Sequence, residues 1–270
     1  MNQRQWIQMD DTSGTNAQKI SRITWSMVAV VTVVALVIGL AIGAPVQVGV
    51  VGVVVSFFFA RSIKQSATSH VRDGLTTRAA SESDQARIFN VVDGLCVVSG
   101  DHRPTIEVID SQFPVAMSFG NAAQSSIVVS NGFCDVMDRV ETEAVMAHLL
   151  WRIRSGESEF TAYLINLNAK LSRIALGSLA RFIIQRVANS QVILWADIAA
   201  CQATRYPPAL ASALEKVEAS TASAPQHVSY PLWFATPHGT SSATRDGVQF
   251  PNLGVSYPSL AERIGVLKEI

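Results

Sequence analysis

Charge is scarce in this sequence. Only 16% of its 270 residues are Asp, Glu, Lys or Arg, below the usual quarter, and 21 cations balance 21 anions. A chain without net charge has no global basic field, so nucleic acid is not an expected partner. Cysteine is nearly absent too. Cys96, Cys134 and Cys201 are odd in number, far apart and without Cys-x-x-Cys spacing. That argues against a disulfide framework and a structural zinc site, and for reduced thiols in a cytosolic domain. The chain has no glycine-rich phosphate loop, internal repeat or low-complexity tract.

What it has is apolar residues, 49% of the total, with much of the excess near the N-terminus. Met1–Arg22 is polar and reads as a cytoplasmic N-terminal tail, mobile or ordered by a partner. Ile23–Gly43 carries no charge, and its 21 residues would span roughly 30 Å as a helix, one bilayer core. Ala44-Pro45 breaks it, and a second run, Ala44 through Ile63, can return. Residues 23–63 therefore read as a transmembrane helical hairpin. Arg4, Lys19 and Arg22 precede it and Arg61, Lys64 and Arg72 follow it. These flanks put both ends in the cytoplasm, making a multi-pass protein of the cell (inner or plasma) membrane with its soluble domain facing the cytoplasm. Trp25 and Phe57–Phe59 stand where interfacial aromatics belong. Ala41-Ile42-Gly43 resembles a signal-peptide cleavage site, but the apolar stretch is long for a signal and a second run follows at once. Ala35, Gly39 and Gly43 form a small-residue stripe for helix contact, either within the hairpin or with a partner helix.

Beyond the hairpin, residues 64–83 read as a linker or stalk, and 84–270 as one domain. Asp84–Gly100 has helical spacing that Gly100 would end. Thr105–Ile109, Val115–Phe119 and Ser126–Ser130 are strand candidates. Gly120-Asn121 is a turn, and Asn131-Gly132 is expected to close the small sheet. A helix is expected from about Asp138. Ser158–Asn189 reads as one long amphipathic helix without an uncharged 18-residue run, so as no third span; it suits core packing or the membrane surface. Gln191–Arg205, Ala209–Ala219 and Ser259–Ile270 read as further helices, His227–Ala235 as partly extended, and Pro237–Pro251 as loop. The fold class is α+β: a hairpin, then a mainly helical domain with a small β-sheet.

The informative stretch is Val140–Glu157, VETEAVMAHLLWRIRSGE. Zinc proteases place His-Glu-x-x-His on such a helix, with two imidazoles one turn apart and a glutamate as general base. Here the five residues are His148, Leu149, Leu150, Trp151 and Arg152. One imidazole remains, the base is leucine, and the second ligand position holds a cation.

Other motifs stand in a fixed order around it. Asp138, Arg139, Glu141, Val145, Ala147 and His148 form one run. Ala196-Asp197 follows, with Ile193 three residues before Ala196. Pro207, Leu210, Ala213, Leu214 and Lys216 form another run, and Ser256-Tyr257-Pro258 and Arg263-Ile264 close the series. From about Ile23 onward the chain thereby resembles the HtpX-like family of membrane zinc metalloendopeptidases. The resemblance implies a gluzincin-like fold, in which Ile193 stands at the third ligand position and Asp197 supports the site from behind. It also puts Val115 where the family has an asparagine on its substrate-edge strand. Active members usually carry further spans after the zinc helix, which are not evident here.

The departures fall on the chemistry. Catalytic zinc needs about three protein ligands and an open position for water. A guanidinium cannot deprotonate to become a ligand and repels a divalent cation. No metal, other cofactor or catalytic residue is therefore expected; His148, Leu149, Arg152 and Ile193 are degenerate positions, and Asp197 and Glu141 are retained support. His148 is expected as a hydrogen-bonded core histidine. Arg152 is expected to pair with Asp197 or a nearby carboxylate such as Glu141, the other reading being that it snorkels to solvent. Trp151 and Trp195 suit packing or a recognition surface, and Cys134 reads as a buried thiol.

The expected function is that of a membrane-anchored pseudopeptidase, not an enzyme: a protein-binding, scaffold or regulatory subunit. Its expected partners are the lipid bilayer and membrane proteins or a membrane complex, including an active paralogue or a second copy. Edge-strand addition is the expected mode. The alternatives are a metalloendopeptidase with rearranged ligands and a purely structural subunit.

Overall fold

The computed structural model describes residues 12–225, 227–236, 242–244, 247–250, 253 and 255–270. Two long apolar helices come first, α1 (Thr12–Ala41) and α2 (Pro45–Gln65), both long and apolar enough to cross a membrane. They form a hairpin closed at Gly43, whose φ is +77°. A Cβ on Gly52 would lie 2.4 Å from the Cβ of Ala35, and one on Gly39 2.7 Å from the Cα of Pro45. The small-residue stripe thus packs the hairpin's own second helix.

The first helix begins eleven residues before Ile23, so much of the expected tail is structured. Its extension lies along the soluble domain: Asn16 Nδ2 donates to Ser155 O at 3.0 Å and Lys19 sits 5.5 Å above the Phe160 ring. Ile20 is buried beside them. Polar composition misled there because this extension pairs its few inward side chains with the domain. Residues 1–11 lie outside the described residues.

The expected linker also joins the domain. It contains α3 (Ala67–Arg72) and β1 (Thr77–Ala79). Arg72 Nη2 reaches both carboxylate oxygens of Glu107 at 2.6 Å. After α4 (Ala86–Ser99), β1 pairs antiparallel with β2 (Thr105–Ile109), which runs parallel to β4 (Ser125–Ser130); β3 (Ala116–Gly120) pairs antiparallel with β4. The order is β1-β2-β4-β3. Gly120, at φ +84°, makes the β3–β4 turn, where a Cβ would lie 2.0 Å from Gln124 O. The sheet's last strand ends at Ser130, where Asn131-Gly132 is expected to close it, and those two residues open the short α5 (Asn131–Val136), capped by Ser130 Oγ on the N–H of Phe133 at 3.0 Å.

The central helix is α6 (Arg139–Arg154). Asp138 and Glu141 form a reciprocal capping box at its start, with both bonds at 2.8 Å. The expected long helix over Ser158–Asn189 is two, α7 (Glu157–Arg173) and α8 (Gly177–Val187). The break falls at Ala175, whose φ of +60° no helix accommodates. A lone glycine nearby is a weak stop signal, which is why the sequence did not reveal it. Then come α9 (Val192–Thr204) and α10 (Pro207–Glu218).

Residues 227–236 are only partly extended. A single 3-10 turn, Tyr230–Leu232, precedes an antiparallel bridge between Trp233 and Met117 of β3. The expected loop at Pro237–Pro251 holds β5 (Ser242–Thr244) and β6 (Gly247–Phe250); β6 pairs antiparallel with β5 on one side and with β7 (Val255–Tyr257) on the other. The rest of that stretch, 237–241, 245–246 and 251, lies outside the described residues. The chain's last helix is α11 (Leu260–Glu269), capped by Ser259. The core fills the space between the four-stranded sheet and α6, with Val115, Met117, Val128, Val145 and Leu149 fully enclosed.

Candidate functional site

Helix α6 is buried around nearly its whole circumference from Glu141 to Ile153. Its polar residues there need internal partners, because an unpaired buried charge costs several kcal/mol, about 3–5 when one member of a buried pair is missing. Three buried polar clusters surround it, and in them each buried charge has an opposite charge beside it.

The first involves His148. Its side chain is fully buried, with Nδ1 2.9 Å from Asp197 Oδ1. Among the described residues neither ring nitrogen has a well-aligned hydrogen bond, so the contact with Asp197 is one of proximity, and His148 is a core histidine without the hydrogen bond expected of it there. Asp197 is committed elsewhere. Arg263 of α11 clasps it with two parallel bonds, Nε to Oδ2 and Nη2 to Oδ1, each 2.7 Å. A third donor, Nη1, reaches Phe234 O at 2.6 Å. Burial pushes the His148 pKa below its ordinary value, partly opposed by Asp197, so the ring is held neutral. Burial also works against ionising Asp197, but the Arg263 guanidinium and the His148 contact outweigh it and hold its pKa below the usual value.

The second cluster is built on Arg152, one turn further along α6 and 1% exposed. It pairs neither with Asp197 nor with Glu141, and it does not reach solvent. Its partner is Glu157, the first residue of α7, whose Oε2 lies 2.6 Å from both Nε and Nη2. The tight connection through Gly156, at φ +69°, returns Glu157 alongside the end of α6, nearer than either expected carboxylate. The remaining donors fasten a separate segment. Nη2 donates to Pro231 O at 2.9 Å, and Nη1 to Leu232 O at 3.0 Å and Trp233 O at 3.4 Å.

The third cluster holds Glu141 away from these. It accepts from Ser212 Oγ and Lys216 Nζ of α10, both at 2.6 Å, besides its capping bond. Its role is to tie α6 to α10. Ile193 and Leu149 are buried apolar residues, Trp151 is buried and Trp195 half-buried. Burial raises the thiol pKa of Cys134 to about 11, which suits an inert thiol.

The segment that Arg152 fastens lies along the outer edge of the sheet. Besides the Met117–Trp233 bridge, the N–H of Phe234 donates to Ala116 O at 2.9 Å. Trp233 packs against Phe113 and Phe234 against Phe133. Behind the edge, Val115 has its N–H taken by Ser130 Oγ and its carbonyl by Ser130 N–H, both at 2.9 Å. The β3 edge expected to receive a partner strand is thus met at Ala116 and Met117 by the chain's own Trp233 and Phe234. That occupant, with Glu157 and Arg263, is what sequence reasoning missed. Arg263 was visible only as part of a motif, and the one available signal was that two buried arginines must each find a carboxylate.

Zinc does not fit this donor set. Among the described residues no three His, Cys, Asp or Glu side chains converge to hold a metal. Asp197 is spent on Arg263, and two guanidinium groups flank the single imidazole, an environment hostile to a divalent cation.

No protein-family model matches the chain. It is similar to proteins named "Protease HtpX homolog". One, from Dictyoglomus thermophilum, is 26% identical over 254 residues, covering 78% of this chain and 84% of the relative. One from Dictyoglomus turgidum is 23% identical over 288 residues, covering 92% and 91%. One from Streptococcus pneumoniae is 23% identical over 297 residues, covering 92% and 97%.

Proposed function

Starting from the chain's membership of the HtpX-like membrane protease family, we propose that it is a pseudopeptidase, a family member without hydrolytic activity that serves as a protein-binding, scaffold or regulatory subunit. The observation carrying this reading is the place of Arg152. A guanidinium occupies the second ligand position and spends its donors on Glu157 and the carbonyls of Pro231, Leu232 and Trp233. The group that would bind metal has become the fastener that keeps the substrate edge covered. Leu149 and Ile193, both buried, support the same reading because neither supplies a base or a ligand.

On this reading the protein sits in the cell membrane by its hairpin, with the domain in the cytoplasm, as the flanking cations Lys19, Arg22, Arg61 and Lys64 suggest. Its partners are membrane proteins: an active relative, a second copy or a larger complex. Recognition uses surfaces other than the β3 edge, since strand addition there would first have to displace Trp233 and Phe234. A casein digestion assay on the full chain in detergent, beside an active relative, tests the loss of hydrolysis. No turnover, unchanged by chelator or by His148→Ala, is expected. Chelator-sensitive cleavage that His148→Ala abolishes would overturn the proposal. Co-purification from native membranes tests the subunit role, where recovery of only a monomer would count against it.

A further inference from the structure

We propose that the tip joining α7 to α8, from Arg173 to Phe182, is a second membrane contact that seats in the headgroup region beside the transmembrane hairpin and prefers anionic phospholipid. Position comes first. Asn166 Nδ2 donates to Ile63 O at 2.6 Å and to Ser66 Oγ at 3.0 Å, and Lys170 Nζ to Ser62 Oγ at 2.5 Å. One turn forward along α7 therefore moves back along α2, toward its membrane-spanning part. α1 gives the same direction. Asn16 touches Ser155, Lys19 covers Phe160, and Thr24 Oγ1 lies 3.4 Å from the Tyr163 hydroxyl, so α1 and α7 advance together toward the bilayer. At ~1.5 Å per residue, Arg173, the last residue of α7, lies roughly 4–5 Å beyond Lys170 in that direction, and the turn into α8 follows it.

Surface chemistry comes second. Ile174, Leu176, Leu179 and Phe182 are 53%, 43%, 46% and 55% exposed, although Ala180 and Ile184 on the opposite face of α8 are buried. The exposed row is thus additional to the core-facing row. Charge comes third. No acidic residue stands between Glu159 and Asp197, while Lys170, Arg173, Arg181 and Arg186 do. Apolar side chains among cations on a short helix beside two spans suit the interface of an anionic membrane. The 11 residues of α8 would cover only about 17 Å, too short to cross.

This inference uses the hairpin but not the loss of catalysis, so the two can fail separately. The test places photoreactive p-benzoylphenylalanine at Leu179, at Phe182 and, as a control, at Val98, which is 88% exposed on α4. Full-length protein is irradiated in nanodiscs of phosphatidylcholine with or without phosphatidylglycerol, and adducts are read by mass. Lipid adducts are expected at positions 179 and 182, more abundant with phosphatidylglycerol, and not at position 98. Arg181→Gln with Arg186→Gln should weaken the anionic preference, by about fivefold per cation from ~1 kcal/mol each. Adducts no higher at 179 and 182 than at 98, cross-linking to a second copy or another protein instead, or no headgroup preference would each overturn the proposal.

Discussion

The Arg152 guanidinium and the Glu157 carboxylate meet at 2.6 Å with both side chains almost wholly buried, and the same guanidinium holds three successive carbonyls, those of Pro231, Leu232 and Trp233. One side chain therefore joins α6, α7 and the segment over the sheet edge. In an active metallopeptidase of this type, the metal would link elements at that level.

Removing this link should be costly. Arg152→Ala leaves Glu157 buried without its cation and is expected to lose about 3–5 kcal/mol. In a chain of this size, that corresponds to a fall of roughly 6–20 °C in Tm. Thermal unfolding in detergent measures the loss. Limited proteolysis should show cleavage within residues 227–236 of the variant and less of it in the wild type. Arg152→Met with Glu157→Leu should recover most of the stability without restoring that protection, since replacing a buried pair by apolar residues is often neutral.

The His148–Asp197 pair predicts a pH dependence with a definite sign. His148 has a folded pKa below its ordinary value of 6.5, so the unfolded chain takes up the proton first. Its contribution to stability is present above about pH 6.5 and is lost as pH falls below that. Asp197, also depressed, adds stability above its ordinary 3.8 that is lost as pH falls further, through its folded pKa. The slope from His148 is at most about 1.4 kcal/mol per pH unit, and it acts only between its unfolded and folded pKa. Comparing Tm between pH 5 and pH 8 for the wild type and His148→Gln isolates this component; equal slopes would remove it.

Two glycines should respond in opposite ways. At Gly52 an added Cβ meets Ala35 at 2.4 Å, so Gly52→Val should push the hairpin helices apart and cost about 1–3 kcal/mol. Gly94 lies in the middle of α4 with nothing near its would-be Cβ. Gly94→Ala should therefore stabilise, by about 0.5–1 kcal/mol, through helix propensity alone. Thermal unfolding of both variants in the same detergent distinguishes local helix gain from lost interhelical packing.

Much of the fold was legible because its signals are local. The uncharged run after Ile23, the alternation in Thr105–Ile109 and the Asp138–Glu141 cap each declare an element within a few residues. What stayed hidden depends on distant partners. β1 has three residues and exists because β2 gives it an edge. The break at Ala175 carries no proline, and the start of α1 rests on contacts with Ser155 and Phe160 more than a hundred positions away. The site divides in the same way. That Leu149 can supply no base, and Arg152 and Ile193 no metal ligand, can be read directly, because side-chain identity alone decides it. Which carboxylate answers Arg152 cannot, since Glu157, Glu141 and Asp197 all stand at plausible spacings and only the chain path through Gly156 selects the first.

Whether the chain holds zinc is decided by the metal content of the purified protein. Full-length protein prepared in detergent without chelator, in medium supplemented with zinc, is assayed by inductively coupled plasma mass spectrometry beside its His148→Ala variant. Zinc far below one per chain is expected, with no difference between the two. One zinc per wild-type chain, lost on His148→Ala, would contradict the proposal.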